Sequence, residues 1–232
     1  MREIVLDTET TGLDPNAGDR IVEIGAVELN GHVPTGRTFH EYINPERTMS
    51  EGAFAVHGLG DDFLRTKPVF RQVALAFLDF LGDAKLIIHN AAFDMKFINA
   101  ELVWAGLAAL PVDRAVDTLE IARRKFPGSP ASLDALCRRF SIDNSARTLH
   151  GALLDSEILA EIYLELIGGR QPDFGLISVE RTSAQDAATG GLAKRSRPEP
   201  LPARLSDAER DAHRAFVEAM GNEAIWARFQ DA

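Results

Sequence analysis

The sequence predicts an α/β fold, a mixed sheet covered by helices, and two observations carry that expectation. Residues 3 to about 40 read as consecutive strands joined in an antiparallel meander. From Lys67 onward the apolar residues switch to helical spacing and then alternate between short buried-strand runs and helices. A meander followed by strand and helix alternation closes as one mixed sheet with helices on its faces.

Taken in order, the strands are "EIVLDTE", "IVEIGAVELN", a turn at Asn30-Gly31, and "RTFHEYI". Val69, Val73, Phe77, Phe80 and Leu81 recur at helical spacing and precede "AKLIIHN", a short apolar run that reads as a buried strand. "AFDMKFINAELVWAG" is a helix, and "AVDTLEIARRKF", "SLDALCRRF" and "GALLDSEILAEIYLELI" continue mostly as helices. After Ile167 the texture becomes small, polar and Pro-rich. Residues 177–204 read as a flexible linker that separates a catalytic domain, 1–176, from a short segment, 205–232. Ser206 and Glu209 have the spacing of a capping box ahead of Ala212, Ala215, Phe216, Ala219 and Met220, an amphipathic helix too small to fold alone and suited to docking on another protein.

The 232 residues carry 25 Lys and Arg against 35 Asp and Glu, a net charge of −10. That balance argues against a surface coated for nucleic acid, though a narrow groove stays possible because acidic clusters change sign locally on binding metal. Cys137 is the only cysteine, which excludes an intrachain disulfide and a Cys-based metal cluster and reads as a buried structural thiol. With no secretory leader and no membrane-length apolar run, a cytoplasmic protein is expected.

The chemistry starts at Asp7 and Glu9. Residues two apart in a strand share a face, so these carboxylates repel unless the strand end is solvated or a cation lies between them. Asp94 opens a helix just after a buried strand, where open α/β sheets build sites, and His150 and Asp155 flank the start of the last long helix. Singly, these are a solvated strand end, a helix-dipole charge and a helix-entry cap. Jointly they put four carboxylates and one histidine at one end of the sheet. Oxygen ligands without cysteine suit Mg²⁺ or Mn²⁺, and two such ions about 3.5–4 Å apart would clamp a phosphodiester while His150 takes a proton from water.

The motifs "VLDTETTGLD", "VHGL", "IIHNAAFDMKF", "SLDALCRRF" and "TLHGALLDSEILAEIY" resemble, in the same order from about Arg2 to Gly169, those of the DEDDh exonuclease family. The likeness is strongest to the proofreading subunits of bacterial replicative DNA polymerases. It implies a ribonuclease-H-like fold and 3′ to 5′ hydrolysis releasing nucleoside monophosphates. It also implies that Asp7, Glu9, Asp94 and Asp155 hold metal, that His150 is the general base, that Thr10, Gly12 and Leu13 grip and wedge the terminal nucleotide, and that His57 and Phe93 line its pocket. Where similar members carry an acidic residue five positions before the motif histidine, this chain has Gly52, with Glu51 one place earlier. The implied substrate is a single-stranded DNA 3′ end. The implied partner is a polymerase catalytic subunit, reached through 205–232; separately, the spacing of Gln171, Phe174 and Leu176 resembles the short motif that docks on a sliding clamp, and reads equally as a loop whose Phe174 folds back on the core. The choice of DNA over RNA stays open at this level, as does an idle-site role as a structural brace.

Overall fold

The computed structural model describes residues 1–168 and 206–221. The clamp-like peptide at Gln171, Phe174 and Leu176, the linker 177–204 and residues 205 and 222–232 lie outside the described residues. Two compact units, Met1–Gly175 and Leu176–Ala232, divide the chain.

In the first unit, β1 (Arg2–Thr10), β2 (Ile21–Asn30) and β3 (Val33–Tyr42) form the expected meander. Two short helices follow, α1 (Glu51–His57) and α2 (Asp61–Leu64), in a stretch whose apolar pattern is too brief to announce them. Helix α3 (Phe70–Leu81) starts after Pro68, with the Gln72 side chain accepting the Val69 N–H at 3.1 Å. Then come β4 (Lys85–Ile88), α4 (Ala91–Trp104), β5 (Ala115–Asp117), α5 (Thr118–Lys125), α6 (Leu133–Phe140) and α7 (Ala152–Leu166). The run "AVDTLEIARRKF" is therefore a strand and then a helix. Its strand is three residues long, too short for a period to show, and Asp117 ends it by accepting the Leu119 N–H at 2.8 Å as the cap of α5.

The sheet order is β3-β2-β1-β4-β5, antiparallel through β1 and parallel from β1 to β5. Alternation along β1 sends Ile4 and Leu6 into a core with Phe70, Phe77, Phe97 and Leu102 of α3 and α4. Val5 goes to the opposite core with Leu136, Ile158 and Ile162 of α6 and α7, where Cys137 is also buried. Asp7 and Glu9 continue the Val5 face, so the period that builds the core also aims two carboxylates at α7. Gly25 of β2, paired with Asp7, lets α7 lie against the sheet: a Cβ there would stand 2.1 Å from the backbone of Ala152 and Leu153. Ser156 donates to the Gly25 carbonyl at 2.9 Å and fixes the same contact.

In the second unit, α8 (Asp207–Met220) has the expected capping box, Ser206 N–H to Glu209 Oε2 at 2.8 Å and Glu209 N–H to Ser206 Oγ at 3.3 Å. Of the apolar side chains on α8, Val217 is buried, while Phe216 and Met220 of the expected stripe are exposed.

Candidate active site

The parallel strands β1, β4 and β5 end on one edge of the sheet, which is where ligand sites of open α/β sheets form. A cavity of about 370 Å³ opens there, lined by residues that include Asp7, His89, Asn90, Asp134, Arg147, His150 and Asp155. Glu9 and Asp155 are buried and His150 is exposed at the rim, and ligand atoms of these three lie within 4.8 Å of one another. Asp94 is buried on the first turn of α4, with Oδ1 accepting the Thr8 N–H at 3.1 Å and the Thr8 hydroxyl at 2.7 Å. Asn90 adopts a left-handed conformation, φ 67°, and Asp117 holds the start of α4 by accepting the N–H groups of Asn90 and Ala91, each at 3.1 Å. The five sequence-predicted groups thus meet at one place.

The electrostatics show what the cluster lacks. Burial, then the charges of Asp94, Glu9 and Asp155, push the Asp7 carboxyl well above its usual range. Burial, then Asp155 and Glu23, push Glu9 up to about 8. Burial raises Asp94 to about 7 against the lowering effect of its Thr8 hydrogen bonds. Glu23 lies directly across the ladder from Glu9 and is paired with His40 at 2.7 Å. These carboxylates hold protons near neutrality because burial and their mutual repulsion outweigh the one nearby guanidinium, Arg147, and an all-oxygen donor set of this kind fits a hard divalent cation.

Sequence reasoning missed the groups that trim the site. Arg147 grips Asp155 through Nε–Oδ1 at 2.5 Å and Nη2–Oδ2 at 2.8 Å, and reaches Asp134 at 2.9 Å and His150 Nδ1 at 3.0 Å. It stands in a loop, where no periodicity marks it. Burial, then the Arg147 charge, lower the His150 imidazole, which favours its neutral form. The His150 N–H donates to the Val56 carbonyl at 3.1 Å, tying this loop to α1.

Residues 4–163 match the exonuclease family. The chain belongs to that family. As an exonuclease it hydrolyses nucleic-acid phosphodiesters, and the family is dependent on divalent metal. It is 48% identical over 223 residues to the DNA polymerase III subunit epsilon of Rickettsia felis, covering 95% of this chain and 97% of that one. With the Escherichia coli subunit of the same name it shares 42% over 235 residues, 97% of each chain. Among solved structures, exonuclease X in complex with 5′-overhanging duplex DNA is similar at 26% identity and TM-score 0.56, over 71% of this chain and 90% of that one. The nuclease domain of the DEDDh member 3′hExo, bound to rAMP, matches in fold at 23% identity and TM-score 0.63, over 72% of this exonuclease and 91% of that domain.

The remaining expected substrate contacts of the exonuclease spread over the same edge. Thr10 donates to the Gly12 carbonyl at 2.6 Å, and Leu13 beyond it is 81% exposed, an apolar side chain with no packing role. A Cβ on Gly12 would meet the Asp19 carboxylate at 2.3 Å, so glycine is required where Asp19 braces the loop through Arg47 at 2.9 Å and the Asp14 N–H at 3.0 Å. His57 is buried, accepts the Leu59 N–H on Nδ1 at 3.0 Å and is lowered chiefly by burial. Phe93 is half-buried against Phe97, with ring centres 5.0 Å apart. Gly52 and Glu51 are both exposed in α1, and a Cβ on Gly52 would meet nothing.

Proposed function

We propose that this exonuclease removes nucleotides from the 3′ end of single-stranded DNA as the proofreading subunit of a replicative polymerase, using two divalent cations, Mg²⁺ or Mn²⁺, held by Asp7, Glu9, Asp94 and Asp155. The observation that carries this is the raised, mutually repelling carboxylate set around His150 on the strand-end edge. Bound there, the cations would polarise the phosphodiester and make water acidic enough to attack it near neutral pH. The chain's own groups supply the rest. His150, exposed and kept neutral, is placed to accept the proton of the attacking water. Leu13 offers an apolar edge against which the last base can be parted from its neighbour, while Thr10, Gly12, His57 and Phe93 shape the pocket for that nucleotide, and Gly52 leaves the sugar without a side-chain carboxylate.

Residues 1–176 would form the nuclease domain and 177–204 a tether. Residues 205–232, with the capped helix α8, would dock on the polymerase catalytic subunit, and Gln171, Phe174 and Leu176 would contact the sliding clamp. The names of the polymerase III relatives favour this assembly and a cytoplasmic, replisome-associated location. Among the described residues no helix is long and apolar enough to cross a membrane. At net −10 the isolated chain should hold DNA weakly, with the polymerase delivering the primer end.

The test compares 5′-labelled single-stranded DNA and RNA of one sequence, with Mg²⁺ or Mn²⁺, for the wild type and Asp7→Ala. The expected result is a ladder shortening from the 3′ end of DNA and no products from Asp7→Ala. Wild-type turnover by Asp7→Ala would refute the site, and faster trimming of RNA would refute the substrate.

A further inference from the structure

We propose that Arg147 is a positioning residue that stands in for a cation at Asp155 and is exchanged for the divalent cation as the site loads. This rests on the metal-holding reading above and concerns how that site is kept before loading.

The Arg147 side chain is only 8% exposed and all three of its guanidinium nitrogens are engaged. Two of them form a fork on both oxygens of Asp155, the strongest geometry an arginine makes with a carboxylate. Those are oxygens that a metal needs. A fixed positive charge beside them also opposes a divalent ion, so fork and metal compete for one carboxylate. Among the described residues Arg147 is the one lysine or arginine paired with Asp155. Without it, Asp155 would face Asp7 and Glu9 uncompensated.

The same guanidinium parks the base. Nη2 donates toward His150 Nδ1 at 3.0 Å, which makes Nδ1 the acceptor and leaves the neutral ring's hydrogen on Nε2. While this contact lasts, neither ring nitrogen is free to take a proton from water. One departure would therefore release a metal ligand and the base together. Arg147 has somewhere to go, because Asp134, half-exposed at the cavity mouth and held by Asn144 at 3.0 Å, grips its Nη1 independently of Asp155.

The experiment uses the full chain without nucleic acid. Calorimetric titration with Mn²⁺ is run on the wild type, Arg147→Met, Arg147→Lys and Asp155→Ala, and the ¹⁵N resonances of Arg147 Nε and of the His150 ring are followed as Mg²⁺ is added to the wild type. Competition predicts at least about five-fold tighter Mn²⁺ binding in Arg147→Met, within the usual range for coupled ligands. Arg147→Lys, which keeps the charge and loses the fork, should also bind more tightly than the wild type. Saturating Mg²⁺ should move the Nε signal from an ion-paired to a solvated position and change the His150 tautomer. An unmoved Nε signal at saturation overturns the exchange, as does wild-type affinity in Arg147→Lys. No Mn²⁺ binding by the wild type, or binding indifferent to Asp155→Ala, would instead remove the metal-holding reading itself.

Discussion

Two arginines in the nuclease unit each fork a buried carboxylate, and the two forks do different work. Arg20 holds Glu101 through Nε–Oε1 at 2.7 Å and Nη2–Oε2 at 2.8 Å, Glu101 also accepts the Ile21 N–H at 3.2 Å, and the guanidinium stacks over Trp104 at 5.1 Å. Every partner there is satisfied, and the fork joins α4 to the start of β2. Arg147 makes the same fork on Asp155, but that carboxylate adjoins Asp7 and Glu9, whose protons are retained through burial and repulsion by the neighbouring carboxylates. Local geometry is shared; the surrounding charge decides whether a pair is a permanent tie or a replaceable one.

The largest effect expected to sharpen this contrast is in pH. Glu9 titrates at about 8 in the fold against 4.5 unperturbed, and Asp94 at about 7 against 3.8. Between those values the folded chain keeps protons that the unfolded chain has lost. Stability of the metal-free protein therefore falls as pH rises from about 5 to about 8.5, by several kcal/mol, and the raised Asp7 carboxyl adds to the fall. Urea midpoints across that range test it. A midpoint that rises with pH would contradict the cation-poor site, and added Mg²⁺ should flatten the slope.

The next effect is in the ties themselves. Glu101→Gln leaves Arg20 facing a neutral amide and should lower metal-free stability by about 2 kcal/mol. Asp155→Asn relieves repulsion and leaves Arg147 on Asp134, so it should cost little or raise stability while activity is lost. Equal losses in chemical denaturation would erase the distinction between the forks. The smallest effect is at the stack: Trp104→Leu should cost about 0.5–1 kcal/mol from the lost cation–π contact and leave DNA hydrolysis unchanged. A change in kcat for that variant would tie the Arg20 region to the site after all.

Legibility followed length and period. The meander, α3, α4 and α7 repeat an apolar pattern over enough residues to be read, whereas β5 has three residues and α1 and α2 depend on tertiary contacts such as the bond from His150 N–H to Val56. Asp7, Glu9, Asp94, His150 and Asp155 were legible because each borders an element whose apolar face is known. Arg147, Asp134 and Glu23 were not. Arg147 lies in a loop, and Glu23 looks like one more exposed strand residue until its place opposite Glu9 is seen.

The sequence by itself determined the meander, the longer helices and, through the two-residue period of β1, that Asp7 and Glu9 share the face of Val5. Only the tertiary structure decided how near α7 comes to that face, because the missing side chain of Gly25 acts across 127 residues, on Ala152. It also decided that Asp155 is met by an arginine from its own approaching loop. Periodicity is a property of neighbours along the chain, while charge balance is a property of neighbours in space.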